Sequence, residues 1–237
     1  MILTSTRETV ETNQKYSCEF CKREFAREST ILKHICEQKQ RWLQKDLQGN
    51  RIGFQAFIQF YKKNSASKKT KTYEEFIKSP YYTAFVKFGT YCVDVNALNI
   101  PRYTDWLVKN QISVDTWTSD KNYTKYLIEY LRVEDPLDAI ARSIETTIQK
   151  ADEENIRCWD YLRYGNTNKI CYQITLGKIS PWMLYHSDSG SRFLDTLNPD
   201  HVKMILDYID PEQWALKFKR DPKTANDIKE VLKAGGY

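Results

Sequence analysis

A mainly α chain, in which a small N-terminal ββα-like unit precedes an all-helical body, is predicted by three features of the 237-residue sequence. Six of the seven prolines follow a helix-capping residue: Ser79-Pro80, Asp135-Pro136, Ser180-Pro181, Asn198-Pro199, Asp210-Pro211 and Asp221-Pro222. An accepting side chain at the N-cap, followed by a proline whose missing N–H costs nothing in the first turn, marks a helix start. Apolar residues recur at i, i+3 and i+4, as in Tyr126, Leu127, Tyr130 and Leu131, or Leu137, Ile140, Ala141, Ile144 and Ile148, the period of a buried helix face. Near the N-terminus, finally, three cysteines and a histidine fall within one short stretch, which also holds the only strand-like pieces.

That stretch, residues 16–38, reads YSCEFCKREFARESTILKHICEQ. Cys18 and Cys21 form a C-x2-C turn that can deliver two thiolates to one metal ion, and twelve residues separate Cys21 from His34, enough for a hairpin that runs into a helix. Tyr16, Phe25 and Ile31 stand where a miniature core is needed. The pattern C-x2-C-x3-F-x5-Φ-x2-H resembles a two-Cys, two-His zinc finger. The histidine which that family places three to five residues past His34 is missing here, since Lys39 and its neighbours occupy the window. Cys36 is offered instead. Residues i and i+2 point to different sides of an α-helix, so His34 and Cys36 can share a metal only if the helix ends or tightens between them. The expected ligands are Cys18, Cys21, His34 and Cys36, and the expected ion is Zn2+, which suits a thiolate-rich tetrahedral site with one imidazole. The alternative is a set of incidental reduced thiols.

If the histidine marks the usual place in the finger helix, Arg27, Ser29, Thr30 and Lys33 face outward, a set of charges and hydroxyls suited to bases and phosphates. One finger spans only about three base pairs, and solitary fingers also serve as protein-docking knobs or staples. Both uses stay open at this point.

Beyond the finger, Thr72-Tyr73-Glu74-Glu75 forms a capping box. The pattern predicts helices over 27–48, 53–63, 73–92, 101–110, 120–133, 136–155, 168–178, 191–197, 199–208, 211–219 and 222–234. Trp106, Trp117, Trp159, Trp182 and Trp214 are expected in the core, with stacking on single-stranded bases as the alternative for any that is exposed. The division expected is a finger with its following helix at 14–48, a helix and basic linker at 49–72, and a helical body at 73–237 that can be split at 157/158.

Charge is uneven. Residues 1–73 carry 15 Lys+Arg against 7 Asp+Glu, leaving 21 against 24 for residues 74–237. A basic N-terminal part on a near-neutral body is the footprint of a phosphate contact, concentrated in the finger and in KKNSASKKTK, whose cations are Lys62, Lys63, Lys68, Lys69 and Lys71. A solvated lysine-rich linker is the plainer reading of that run. Cys92, Cys158 and Cys171 show no pairing pattern, the N-terminus lacks a long apolar run, and nothing approaches the ~20 apolar residues of a membrane span. The expectation is a soluble cytoplasmic protein with reduced thiols and no membrane partner.

No phosphate-binding loop, G-x-G-x-x-G, H-E-x-x-H or G-x-S-x-G is present, so the chemistry-bearing motifs of common enzyme classes are missing. His186 within YHSDSGS reads as a turn between helices and His201 as part of a first helical turn. Asp160, Asp188 and Asp195 could hold a nuclease metal only if the fold converges them.

Three longer segments, KTYEEFIKSPYYTAFVKFGTYCVDVNALNIPRYTDWLVKN, ISPWMLYHSDSG and ILDYIDPEQWALKFKRD, together with the finger, look like a set of zinc-finger proteins encoded by T-even-like, particularly marine, phages. That resemblance implies work in the host cell's cytoplasm. ITLGKISPWML and the closing WALKFKRDPKTANDIKEVLKAGGY resemble the helicase-loading proteins of T-even phages, which are two-domain, all-helical and basic; the finger is a departure from them. The reading that follows is a non-enzymatic DNA-binding accessory factor of phage replication, recombination or transcription, with duplex, forked or single-stranded DNA and a phage or host protein as partners. A protein-assembly factor with a purely structural finger and a metal-dependent nuclease are the alternatives.

Overall fold

The computed structural model of the chain describes residues 15–64 and 69–237, which form two compact units. The first runs to Asp94 and takes in Gln111–Asp115; the second consists of Val95–Asn110 and Thr116–Tyr237. The architecture is mainly helical with one small N-terminal β-hairpin, as the sequence predicts. No helix among the described residues is long and apolar enough to cross a membrane.

In the first unit, β1 (Tyr16–Ser17) pairs antiparallel with β2 (Glu24–Phe25), Tyr16 opposite Phe25. There follow α1 (Glu28–Lys33), α2 (Glu37–Leu43), α3 (Gln48–Asn64), α4 (Tyr73–Lys78) and α5 (Tyr82–Asp94). Two helices expected to be continuous are broken. The one predicted over 27–48 is interrupted at 34–36, where His34 and Cys36 both adopt extended backbone, with ψ of 120° and 164°. The one predicted over 73–92 is interrupted at Ser79-Pro80: the proline ring disfavours helical ψ at the preceding residue, and Ser79, at ψ 137°, ends α4 while its Oγ accepts from the Tyr81 N–H at 3.1 Å in the turn that opens α5. The Thr72 capping box forms as expected, Thr72 Oγ1 accepting from the Glu75 N–H and Glu75 Oε2 from the Thr72 N–H.

Glycine lets α3 and α5 meet closely. A Cβ on Gly89 would lie 1.9 Å from the Gly49 carbonyl oxygen, and one on Gly53 would lie 2.5 Å from that of Phe85, so any side chain there would force the helices apart. Around this crossing Phe57, Phe76, Phe85 and Phe88 are buried in a core of tilted and edge-on aromatic pairs. Burial also pushes the Cys92 thiol up to about 12, which leaves it protonated and unreactive.

The second unit holds α6 (Ile100–Lys109), α7 (Asp120–Leu131), α8 (Pro136–Glu154), α9 (Tyr161–Tyr164), α10 (Thr167–Thr175), α11 (Pro181–His186), α12 (Asp188–Asp195), α13 (Pro199–Ile209), α14 (Pro211–Arg220) and α15 (Pro222–Ala234). At five of the predicted cap-proline pairs the side chain of Asp135, Ser180, Asn198, Asp210 or Asp221 accepts from first-turn amides. Trp117, Trp182 and Trp214 are fully buried. Trp106 donates to Glu129 at 2.7 Å, and Trp159 is 41% exposed. The buried face of α8 is rotated from the predicted stripe: Leu137 and Ile148 are exposed, while Ala139, Ile140, Ser143, Thr146 and Thr147 are buried. Those hydroxyls bond to carbonyls of their own helix, Ser143 to Ala139 and Thr147 to Ile144. Satisfied in this way, they serve as small core residues, a role that apolar periodicity alone does not register.

Candidate metal centre

The hairpin and α1 are too small to bury a core, and neither α1 nor α2 contains a buried residue. What this segment does bury is Cys18, 4% exposed. The turn after β1 is closed by the Cys18 N–H bonding to Arg23 O at 2.9 Å and the Lys22 N–H bonding to Cys18 O at 2.8 Å, with Lys22 in the left-handed region at φ 62°. This knuckle turns Cys18 and Cys21 to the same side.

The break between α1 and α2 supplies the other two ligands. His34 ends α1 and Cys36 is the N-cap of α2, so the helix constraint that would point them apart does not apply. One ligand atom from each of Cys18, Cys21, His34 and Cys36 lies within 4.8 Å of the other three. Cys18 Sγ stands 3.9 Å from Cys36 Sγ, and Cys21 Sγ stands 3.3 Å from His34 Nε2. A zinc ion with bonds of about 2.3 Å to sulfur and about 2.0 Å to nitrogen requires tetrahedral edges of roughly 3.5 Å from sulfur to nitrogen and roughly 3.8 Å between sulfurs, close to these separations, so these residues fit Zn2+, and three cysteines with one histidine form its site.

The local electrostatics favour a bound cation. Amide N–H groups, that of Cys21 first and that of Phe20 after burial is counted, hold the Cys18 thiol below its ordinary value. Cys21 is raised instead, because burial and the neighbouring Cys18 and Cys36 outweigh the Arg23 amide that lowers it. Three thiols side by side resist joint ionisation unless a cation sits among them. Cys36 Sγ also accepts from the Lys39 N–H at 3.4 Å, which places its sulfur at the positive end of α2. The Phe25 ring packs against His34 at 4.7 Å; Phe25, its hairpin partner Tyr16 and Ile31 are each only half-buried.

An aromatic chain fastens the centre to the first unit. Phe20, between the two knuckle cysteines, meets Trp42 at 5.9 Å; Trp42 meets Tyr73 at 5.6 Å, and Tyr73 meets Phe54 at 5.0 Å. Arg41 beside Trp42 donates to the Ile77 carbonyl at 2.6 Å and lies 4.3 Å over the Tyr82 ring, while the Tyr73 hydroxyl donates to the Arg41 carbonyl. Trp42 was not among the tryptophans singled out in the sequence. It lies within the helix predicted over 27–48, on α2 past the break at 34–36.

The outward-facing candidates separate into two groups. Arg27, Ser29, Thr30 and Lys33 are all exposed, Arg27 at the N-cap of α1 and the others along it. Lys62 and Lys63 are exposed in the last turn of α3, and Lys69 is exposed after it; Lys68 lies outside the described residues. Lys71 is engaged, pairing with Glu75 at 2.8 Å over the Tyr61 ring. Finger apolar residues are outward as well, Leu32 at 73% and Ile35 at 65% exposure.

Among the described residues the Cys3His cluster is the one group of its kind; Asp160, Asp188 and Asp195 are not gathered into another. Asp160 is held by Arg157 at 2.6 Å. His186 stacks on Trp182 at 5.5 Å, its Nδ1 3.1 Å from the Trp182 carbonyl. Ser187 caps α12, accepting from the Gly190 N–H; it alone separates α11 from α12, so HSDSG, read from the sequence as a turn, is helical on either side of that one residue. His201 Nε2 lies 3.0 Å from Asn168 Oδ1. No protein-family model, curated protein or solved structure matches the chain.

Proposed function

We propose that the protein is a zinc-dependent, non-enzymatic DNA-binding accessory factor of phage replication, recombination or transcription, with helicase loading as its most concrete form. The observation that carries this reading is the exposed cationic surface of the finger: Lys22, Arg23, Arg27 and Lys33 are all exposed, and none forms an ion pair among the described residues, whereas Lys15, Arg41 and Lys71 are engaged with carboxylates. Such a surface suits phosphate contact more than base reading. At six residues, α1 is about 9 Å long, too short to follow a major groove over several bases. The helical second unit is then free to hold a protein partner from the phage or its host.

Binding to labelled duplex, forked and single-stranded DNA at two salt concentrations tests this. Affinity is expected to fall steeply with salt, because each neutralised phosphate releases counterion, and to weaken in Arg27→Ala/Lys33→Ala. Salt-independent binding, or none, refutes it. The exposed Leu32 and Ile35 favour a second reading, in which the finger docks on a protein; stable partner binding that survives Arg27→Ala/Lys33→Ala and fails in Leu32→Ser/Ile35→Ser would select it.

A further inference from the structure

Beside the metal centre, on the far side of Trp42, α2, α3 and α4 enclose a cleft of about 560 Å³, within the range of small-ligand sites. Its walls are Trp42, Phe54, Ile58 and Tyr73. The aromatic walls are held in place: Tyr73 by its hydroxyl bond to Arg41 O, Trp42 by Phe20 on one side and the Tyr73 edge on the other at 72°. All three aromatic rings are only half-buried, so π surface remains open to a planar guest. At the rim stand two cations, Lys45 and Arg51, with a single carboxylate, Asp46. Lys45 Nζ lies 5.0 Å over the Trp42 ring, and Gln55 brings an amide that can both donate and accept.

We infer that this cleft receives one unpaired base of single-stranded DNA, stacked on the Trp42–Tyr73 corner, with Lys45 and Arg51 on the adjoining phosphates. Aromatic rings with flanking cations are what a single strand needs, since every base presents a π face and every nucleotide a phosphate. A duplex keeps its bases stacked on each other and cannot fill the site. An apolar protein side chain would use the walls but leave both rim cations without partners. The inference rests on the DNA-binding reading above and gives it a preference for single-stranded or forked over fully paired DNA.

The test combines affinity and photocrosslinking on the zinc-loaded full chain. With 5-iodouracil placed along a labelled single strand, crosslinks are expected in the peptides that carry Trp42 or Tyr73. Lys45→Ala/Arg51→Ala should retain the wild-type melting temperature, since both side chains are exposed, yet bind the single strand roughly tenfold more weakly, with a salt slope about 1.4 shallower, the value for two single-strand phosphates. Duplex affinity should change less. If DNA binds but crosslinks fall elsewhere and the double variant binds as wild type does, the cleft assignment is overturned while the DNA reading stands; a cleft that takes a protein side chain gives this outcome. If no DNA of any form binds, both fall.

Discussion

The finger and the second unit are ordered by different means. Between residues 15 and 36 the only buried side chain is that of Cys18, and four ligand side chains converge where a core would be. The second unit instead buries Trp117, Trp182, Trp214, Tyr103, Tyr126 and many aliphatic side chains. The contrast is one of scale: a segment this short cannot remove enough apolar area from water to offset its chain entropy, so a metal supplies the missing stabilisation, whereas a long run of helices supplies its own. The finger borrows from both, through the Phe20–Trp42–Tyr73 contacts with a core it does not itself contain.

Removal of the metal is the largest perturbation that separates the two. Structural zinc contributes on the order of 10 kcal/mol or more to folding of such a segment, so a chelator, or Cys18→Ser, is expected to abolish hydrogen-exchange protection across residues 16–38 while the second unit's protection persists. Loss of protection in α8 or α11 on chelation would break the comparison. Conversely, Trp214→Ala should cost the second unit about 3–5 kcal/mol without releasing zinc, as followed by thermal melting and a colorimetric zinc assay.

A smaller test concerns charge in the apolar unit. Glu134, almost fully buried, is held by Arg142, with Nη2 2.9 Å from Oε1 and Nη1 2.8 Å from Oε2. The second contact lies off the ideal hydrogen-bond angle and acts as ion pairing. Burial raises the Glu134 pKa despite the arginine. Arg142→Ala strands this carboxylate and is expected to destabilise by about 3 kcal/mol, while Arg142→Met with Glu134→Leu recovers most of the loss. Failure of the double variant to recover would show that the pair has a positional role as well.

The smallest effect is a pH dependence. His186 is held below its ordinary value of 6.5, first by burial and further by Lys229, against the Trp182 carbonyl that raises it. A folded-state pKa below the unfolded one means that the unfolded chain binds the proton more readily. The stabilisation is therefore present above about pH 6.5 and is lost as pH falls through the folded value. Between pH 7 and 5, the second unit of the wild type should lose more melting temperature than that of His186→Gln, by an amount worth under about 1 kcal/mol; equal slopes would show that the imidazole titrates as it does in the unfolded chain.

Much of the molecule is determined locally, and that part was legible in the sequence. The C-x2-C turn, the distance to His34, the Thr72 capping box and five cap-proline helix starts depend on residues a few positions apart, whose chemistry does not change with what surrounds them. The metal set was readable for the same reason, including the condition that a helix must end between His34 and Cys36. What tertiary structure alone decided was which face is buried and which side chains from separate helices meet. The rotation of α8 exists because hydroxyls satisfied within the helix can stand in a core that apolar periodicity assigns to Leu137 and Ile148. The α3–α5 crossing depends on three glycines from two helices meeting, and the Trp42 cleft on side chains from three helices. Such contacts are set by distance in space, which the spacing of residues along a chain does not encode.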